Sequence, residues 1–299
     1  MKMTSRFKAL ILDREILRMP CVHNGLAARC ARKAGARAVC CGGYGASASL
    51  LGMPDVGLLT MTEMAGHVGR MAGCLDIPVF ADADTGHGGL PNVTRTVKAF
   101  EQAGAAGLFI EDQVFPKRCG HMDGKAVVSR EEMAAKITAA LDARTDPDFV
   151  IMGRTDALSV HGLDEAIARG QLMRRAGADV IFVEAPRTVE DMRRIVAEID
   201  APVMANFIEG GKTPLLDAQA LQELGFSLVS YGVSALYAAA WAMEAVFREI
   251  METGGSAGMA ERMLDFGAFN ELMGLSAIRE REAACAGAAK RLMDGSGDA

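Results

Sequence analysis

Phe149-Val150-Ile151-Met152 and Val180-Ile181-Phe182-Val183 are short, uninterrupted apolar runs, and residues 163–176 between them repeat apolar side chains at helical spacing. The helical segment ends at Ala176-Gly177-Ala178, where a glycine suits a helix C-cap that leads into the next strand. Uninterrupted apolar runs are typical of parallel strands that are buried on both faces. This stretch therefore predicts a strand–helix–strand unit of a parallel sheet.

The same pattern extends in both directions along the chain. Six further apolar runs predict strands, at residues 19–22, 38–41, 78–81, 107–110, 202–205 and 228–230, and residues 131–142 and 189–199 have helical spacing. Eight strand–helix units without a break in composition predict an α/β fold, a (β/α)8 TIM-type barrel over residues 1–252. A doubly wound sheet with a small appended domain is the alternative.

A glycine-rich break after residue 252 precedes a second helical region. Because a closed barrel does not need them, residues 253–299 are predicted to pack on a neighbouring subunit or to fold back on their own chain. The last six residues, 294–299, are predicted to be a tail.

Composition excludes several classes of protein. The chain has 299 residues, with 32 Lys and Arg against 38 Asp and Glu, and this negative charge argues against nucleic-acid binding. The sequence contains neither an apolar run of about 18 residues, which a membrane span needs, nor a signal peptide. Seven scattered cysteines suggest reduced thiols and a cytoplasmic protein.

Residues 117–121, Lys-Arg-Cys-Gly-His, place a thiol between two cations and an imidazole. Nearby cations stabilise a thiolate, so this cysteine is a candidate for proton transfer or nucleophilic attack. A neighbouring proline and glycines indicate a loop, which can close over a ligand. The loop supplies catalytic candidates, Lys117, Cys119 and His121, and substrate-binding candidates, Arg118 and Gly120.

Acidic residues stand at the ends of two consecutive predicted strands, Asp82 and Asp84 after the third and Glu111 after the fourth. In barrel enzymes these ends carry the chemistry. Carboxylates suit Mg²⁺ or Mn²⁺ better than zinc, and Mg²⁺ keeps several waters, so part of the contact can run through water. The alternative for a single Asp-x-Asp is a solvated turn, but its repetition on the next strand favours a metal site.

Other strand ends offer groups that suit an anionic substrate. The amides of residues 42–45, among them Gly42, Gly43 and Tyr44, form a cradle for a carboxylate or simply a tight turn. Arg154 either clamps a carboxylate or pairs with Glu184 or Glu111, or does both. Asn206 heads a long polar loop. The histidines are weaker candidates: His23 and His87 at the strand ends, with His67 and His161 predicted at the surface.

With these motifs together, the chain resembles the isocitrate lyase and phosphoenolpyruvate mutase superfamily. The resemblance rests on residues 117–122, 82–86 and 111–113, supported by residues 51–55, 154–157 and 183–185. The cysteine loop is similar to the isocitrate lyase signature, which the phosphonate-processing branch lacks. The resemblance thus points to the carbon–carbon lyases, with methylisocitrate lyase, 2,3-dimethylmalate lyase and oxaloacetate acetylhydrolase as closest relatives.

The resemblance implies a barrel whose last helix is swapped between subunits, in dimers or tetramers. It implies Mg²⁺ at Asp82, Asp84 and Glu111, with Asp55 near the metal and the reacting oxygen, and Cys119 as the acid/base. Arg154, Glu184 and Asn206 match positions that contact the substrate. Gly42 departs from the serine of many relatives. Residues 206–214 also differ from typical methylisocitrate lyases and are closer to the dimethylmalate lyase and oxaloacetate hydrolase type.

The predicted reaction is Mg²⁺-dependent cleavage of a substituted malate, such as 2,3-dimethylmalate or 2-methylisocitrate, to pyruvate and a carboxylic acid. Cys119 would donate a proton, while Asp55 and a hydroxide held by the acidic residues are both candidate bases. The alternative is hydrolysis of oxaloacetate to oxalate and acetate. An oxaloacetate decarboxylase and a phosphonate mutase or hydrolase are disfavoured, because neither needs such a thiol loop.

Overall fold

A computed structural model describes residues 1–293, and its central feature is a sheet of eight parallel strands. The strands lie in the order β1-β8-β7-β6-β5-β4-β3-β2. A bridge between Cys21 and Cys40 brings the first and second strands together, so the sheet closes into a barrel. The strands are β1 (Leu17–Pro20), β2 (Val39–Cys41), β3 (Val79–Asp82), β4 (Gly107–Glu111), β5 (Val150–Thr155), β6 (Val180–Val183), β7 (Val203–Phe207) and β8 (Leu228–Tyr231).

Every strand predicted from an apolar run is present, so the (β/α)8 barrel is confirmed over the doubly wound alternative. The helices within the barrel are α1 (Met3–Ile11), α2 (Gly25–Lys33), α3 (Gly43–Leu51), α4 (Met61–Gly73), α5 (Leu90–Gln102), α6 (Arg130–Ala143), α7 (Leu158–His161), α8 (Leu163–Arg175), α9 (Val189–Glu198) and α10 (Ala218–Leu224). Gly177 follows the C-cap of α8 at φ 108°, a left-handed conformation in which a side chain would be strained.

The N-terminal helix α1 closes the bottom of the barrel, and its apolar pattern was missed in the sequence. Phe7 is fully buried and stacks on Phe80 of β3, with ring centroids 5.2 Å apart. Burying one such side chain contributes about 1.5–3 kcal/mol. Because α1 and the inward-facing side chains fill one end of the barrel, the opposite end, where the strands finish, is left for the site.

The chain divides into two compact units after Ala238, inside helix α11 (Ser234–Thr253), whereas the sequence places the domain boundary after residue 252. The second unit also contains a 3₁₀ turn at Ala257–Arg262 and helices α12 (Phe266–Leu272) and α13 (Leu275–Met293). Trp241 of α11 is 66 % exposed. No helix within residues 1–293 is both long and apolar enough to cross a membrane. The predicted tail at 294–299 lies outside the described residues.

Candidate active site

A cavity of about 60 Å³ opens where the strands end. Most of the predicted site residues line it together, although they are far apart in the chain. Its lining includes Gly42, Gly43, Tyr44, Asp55, Asp82, Lys117, Cys119, Gly120, Arg154, Glu184 and Asn206. Phe109, Phe182, Met204, Ile208 and Val233 supply apolar surface. The barrel therefore gathers at one end the predicted residues from five strand ends, those of β2, β3, β5, β6 and β7, together with Asp55 and the loop that carries Cys119.

Lys117 is the cationic centre of this lining. Its ammonium is buried and lies 2.7 Å from Asp55 Oδ1 and 2.7 Å from Asp84 Oδ1. Burial alone would lower the pKa of Lys117, but the surrounding carboxylates hold it well above its ordinary value. Lys117 is thus charged and tethers the Cys119 loop to two acidic residues, rather than standing beside the thiol.

Asp82 and Asp84 are brought together by a turn at the end of β3. Asp82 ends β3, and Asp84 follows in a left-handed conformation at φ 48°. Asp82 accepts hydrogen bonds from the backbone N–H groups of Asp84 and Gly43, both at 2.8 Å. A Cβ on Gly43 would lie 3.1 Å from the Asp82 carboxylate and 3.1 Å from the Lys117 ammonium, so a larger residue would have to push these charged groups aside.

Glu111 is the least satisfied acid of the group. Its Oε2 lies 3.2 Å from Arg154 Nε, but the buried Oε1 has no hydrogen-bond partner. Burial raises the pKa of Glu111 well above its ordinary value, and burial likewise raises the pKa of Asp84 to about 6. An unpartnered buried oxygen is costly, so it suits a site that a cation or an ordered water completes.

The described residues fit a hydrated Mg²⁺ rather than a cage made wholly of protein ligands. In residues 1–293, no three His, Cys, Asp or Glu side chains are placed to hold one ion directly. The available donors are carboxylate oxygens, which Mg²⁺ prefers, and Mg²⁺ usually binds through one or two carboxylates while keeping several waters. The orphaned Glu111 Oε1 is consistent with that arrangement.

Arg154 makes both ion pairs that the sequence left open. Its Nε lies 3.2 Å from Glu111 Oε2, its Nη2 lies 3.2 Å from Glu184 Oε2, and Asp156 Oδ2 accepts a third contact at 3.0 Å. The guanidinium also lies against the rings of Phe109 and Phe182, at 5.5 and 5.1 Å from their centroids. These contacts fix its orientation, and it remains part of the cavity lining.

Cys119 does not have the stabilised thiolate that its neighbours in sequence suggest. Burial is the largest influence and raises the pKa of the thiol to about 11, with Glu184 and Asp55 adding to the increase. Lys117 is occupied by Asp55 and Asp84, and the Arg118 side chain is exposed and bonds the Asp123 carbonyl at 3.2 Å. The thiol is therefore neutral near pH 7, which suits a proton donor.

The Cys119 loop, residues 113–128, lies closed over the cavity. His121 Nε2 lies 3.2 Å from Glu184 Oε1, and His121 Nδ1 accepts a hydrogen bond from the Lys212 backbone N–H at 3.0 Å. A Cβ on Gly120 would come within 2.5 Å of Arg154 Nη2 and of Glu184 Cγ. Because only glycine allows this approach, the loop backbone rests directly on the substrate-facing ion pair.

Gly42 occupies the N-cap position of α3, whose first N–H groups face the cavity end of the barrel. A Cβ at this position would meet nothing within 4 Å. The cavity therefore has room for the serine hydroxyl that many relatives carry at the position of Gly42. A serine side chain there could also cap the helix.

We expect Gly42→Ser to fold normally and to lower the KM for a carboxylate substrate by about two- to tenfold, as one added hydrogen bond allows. Gly42→Ala is the matched control, since it adds the carbon without the hydroxyl. Steady-state kinetics of both variants would measure the effect. Equal KM values for the serine and alanine variants would contradict a hydroxyl contact.

The remaining candidates differ in their placement. Asn206 Oδ1 accepts a hydrogen bond from Ser230 at 2.7 Å, which leaves the amide N–H groups for a ligand.

The two histidines predicted at the surface differ. His161 is exposed as predicted. His67 is buried and its Nε2 lies 3.1 Å from the His23 carbonyl, so the surface prediction for His67 was wrong. His67 lies on the inner face of α4 beside Met64 and Met71, a helical spacing that could have indicated burial.

Sequence reasoning missed Lys125. Its side chain is 1 % exposed, and its ammonium lies 2.6 Å from Asp156 Oδ1 and donates a short hydrogen bond to the Gly120 carbonyl. A lysine in a glycine-containing loop ordinarily faces solvent, so composition offered no signal. The proximity of Asp156, which ends β5, appears only once the barrel is closed.

Comparison with known proteins agrees with this geometry. The phosphoenolpyruvate phosphomutase family model matches residues 7–251. The 2,3-dimethylmalate lyase of Eubacterium barkeri is 45% identical over 282 residues, covering 94% of this chain and 98% of that protein. The 2-methylisocitrate lyase of Aeropyrum pernix is 40% identical over 286 residues, covering 96% and 92%.

Solved structures give the same result. A crystal structure of 2,3-dimethylmalate lyase, a PEP mutase/isocitrate lyase superfamily member, superposes with a TM-score of 0.91 at 33% identity, covering 100% of this chain and 99% of that one. Oxaloacetate acetylhydrolase with 3,3-difluorooxalacetate gives 0.90 at 32%, covering 95% and 97%. Phosphonopyruvate hydrolase with oxalate and Mg²⁺ gives 0.85 at 31%, covering 95% and 99%. The chain therefore belongs to the phosphoenolpyruvate phosphomutase family, within the superfamily that its motifs resemble, and the prediction of a carbon–carbon lyase is confirmed.

Proposed function

We propose that this protein is a Mg²⁺-dependent lyase that cleaves a substituted malate, preferably 2,3-dimethylmalate, to pyruvate and a carboxylic acid. The observation that carries the proposal is the combination, in one small cavity, of a neutral, partly buried thiol, a set of carboxylates and a fixed guanidinium. A thiol donor opposite an acidic cation site suits the protonation of a carbanion. It has no purpose in a scaffold or binding protein.

The residues suited to hold Mg²⁺, or Mn²⁺ in its place, are Asp82, Asp84 and Glu111, partly through water. When bound, the cation supplies Lewis-acid polarisation of the substrate's 2-hydroxyl and adjoining carboxylate. The orphaned Glu111 oxygen and the relative crystallised with oxalate and Mg²⁺ both support this assignment.

The chain's own groups account for the remaining steps. Asp55, held by Lys117, is placed to accept the hydroxyl proton, and the bond between the second and third carbons then breaks. The electron pair left on the third carbon is delocalised into its carboxylate, where Arg154 and the first amides of α3 stabilise the charge. Cys119 donates a proton to that carbon, and the closed loop excludes water meanwhile.

The apolar part of the lining favours a methyl substituent over a carboxymethyl group. The cavity's cations, Lys117 and Arg154, are each paired with two or more carboxylates. A third substrate carboxylate, as in 2-methylisocitrate, would need a further cation to offset its desolvation. The rest of the lining includes Phe109, Phe182, Met204 and Ile208, which are apolar and cannot supply that cation. Ile208 and Tyr44 line the cavity, whereas Phe207 is buried in the hydrophobic cluster that the strands form with the helices.

Hydrolysis of oxaloacetate to oxalate and acetate is the second candidate. The superposition on oxaloacetate acetylhydrolase favours it, and so does the small cavity of about 60 Å³, because oxaloacetate lacks the two methyl groups of dimethylmalate. The same residues serve both reactions, so only the products separate them.

Product NMR tests the proposal. The protein is incubated with Mg²⁺ and, separately, with 2,3-dimethylmalate, 2-methylisocitrate and oxaloacetate, each with and without EDTA. We expect pyruvate from 2,3-dimethylmalate, lost with EDTA and restored by excess Mg²⁺. Oxalate and acetate from oxaloacetate, with no malate cleaved, would replace the lyase by the hydrolase.

We further propose a cytoplasmic homo-oligomer, a dimer or a tetramer, that binds neither nucleic acid nor membranes. The support is a set of exposed large apolar side chains on α11 and α13, among them Trp241, Phe247 and Ile278, which are 66, 64 and 55 % exposed. Soluble monomers rarely leave such patches uncovered. Light scattering after size exclusion should give at least twice the mass of 31.6 kDa.

A further inference from the structure

We propose that Lys125 is a positioning residue that holds the Cys119 loop closed over the cavity. Lys125 is not among the residues that line the cavity. Its ammonium donates to the Gly120 carbonyl within the loop and to the Asp156 carboxylate at the end of β5. One side chain therefore joins the moving segment to the barrel, next to the thiol.

The burial of Lys125 makes this contact energetically important. The side chain is 1 % exposed and Asp156 is fully buried, so neither charge is compensated by solvent. A buried ammonium must be paired, and breaking such a pair leaves an uncompensated charge. The closed loop satisfies both groups at once, whereas an open loop returns only the ammonium to water.

Asp156 also connects the loop to Arg154. Its Oδ2 lies 3.0 Å from Arg154 Nε, while its Oδ1 is 2.6 Å from Lys125 Nζ and 3.3 Å from Arg154 Nη2. Its backbone N–H donates to Asp112 at 2.9 Å, which fixes the carboxylate from behind. In the closed loop, Asp156 Oδ1 is thus shared between Arg154 and Lys125. The charge on Arg154 Nη2 is then less completely neutralised by Asp156, so this nitrogen is better able to bind a substrate carboxylate.

The start of the loop is fastened separately. The Gln113 side chain accepts from the Arg118 backbone N–H at 3.0 Å and donates to the Arg118 carbonyl at 2.8 Å. Arg169 donates to the Val128 carbonyl at 2.8 Å at the other end. Both ends are therefore anchored in ways that do not involve Lys125. In the middle, Lys117 pairs with Asp55 and Asp84 before the thiol, and His121 contacts Glu184 after it. Loss of Lys125 should therefore loosen the backbone at Gly120, directly after Cys119, and leave the other anchors in place.

The test measures access to Cys119 and needs no turnover. Lys125→Ala and Lys125→Met are treated with iodoacetamide at several pH values, and each cysteine is quantified by peptide mass spectrometry. We expect Cys119 to react on the order of tenfold faster or more, as loss of a charged hydrogen bond allows. Ethylammonium should restore protection to Lys125→Ala, while NaCl of equal ionic strength should not.

Two controls are internal to the chain. Lys98→Ala removes an exposed lysine from α5 and should leave the Cys119 rate unchanged. Cys41 is completely buried in β2 and reports global unfolding. Faster Cys119 with Cys41 still protected, in either variant, supports the proposal. Unchanged Cys119 in both variants, or a parallel rise of Cys119 and Cys41 in both, would overturn it.

The catalytic consequence of this inference rests on the proposed lyase function. Where 2,3-dimethylmalate is cleaved, kcat of Lys125→Ala should fall on the order of tenfold or more and recover with ethylammonium. A wild-type protein that cleaves none of the tested acids would remove the proposed function, yet the labelling experiment would still decide the role of Lys125.

Discussion

Cys119→Ser should lower kcat by about 10²–10⁴-fold, the usual contribution of a positioned acid or base. The serine hydroxyl is nearly isosteric but far less acidic, so it cannot protonate the carbanion at a useful rate. Substrate and Mg²⁺ should still bind, because the carboxylates, Arg154 and the amides of α3 are untouched. Steady-state kinetics and calorimetric binding of oxalate would measure the two effects separately.

Cys30→Ser is the control for this substitution, since Cys30 is exposed and lies outside the cavity lining.

Because burial raises the pKa of Cys119 to about 11, the thiol is protonated below that pH and loses its proton only above it. The kcat of the wild-type protein should therefore show no falling limb from Cys119 between about pH 6 and 9. Near-normal turnover in Cys119→Ser would remove the proposed proton donor.

Arg154→Met should destabilise the protein by about 3–5 kcal/mol and abolish measurable turnover, since breaking a buried ion pair leaves uncompensated charge. Arg154 contacts the carboxylates of Glu111, Asp156 and Glu184, which are all buried. Methionine keeps much of the volume between the two phenylalanine rings. The loss of stability should therefore come from the missing charge more than from altered packing. Urea unfolding monitored by circular dichroism would measure the change.

Arg194→Met is the matched control for Arg154→Met. Arg194 also makes two ion pairs, at 2.9 Å to Asp164 and 2.7 Å to Glu198, but it lies at the surface. Exposed pairs contribute little because water and salt screen them. We expect the free energy of unfolding to be nearly unchanged in this variant. If Arg154→Met changed the free energy of unfolding as little as Arg194→Met, the three buried acids would be neutralised by protonation or solvent instead of by Arg154.

The barrel was predictable from the sequence because most of its strands are uninterrupted apolar runs, and several of them end at a charged or amide residue. Helix α1 was not, since its role depends on Phe7 meeting Phe80, which is distant in the chain. The candidate site followed from the same strand ends. What local sequence could not supply was the state of Cys119. Its sequence neighbours are cations, but the closed loop buries the thiol in part and pairs Lys117 with other partners.

The closure of the barrel is uneven around its circumference. The ladder between β4 and β5 joins five residue pairs, from Gly107 with Val150 to Glu111 with Arg154, whereas within residues 1–293 the first two strands meet through the single Cys21–Cys40 bridge. Substitutions near that bridge disturb fewer ladder hydrogen bonds than substitutions beside Arg154. We therefore expect substitutions in the segment that carries Gly42 and Tyr44 to cost less stability than substitutions beside Arg154.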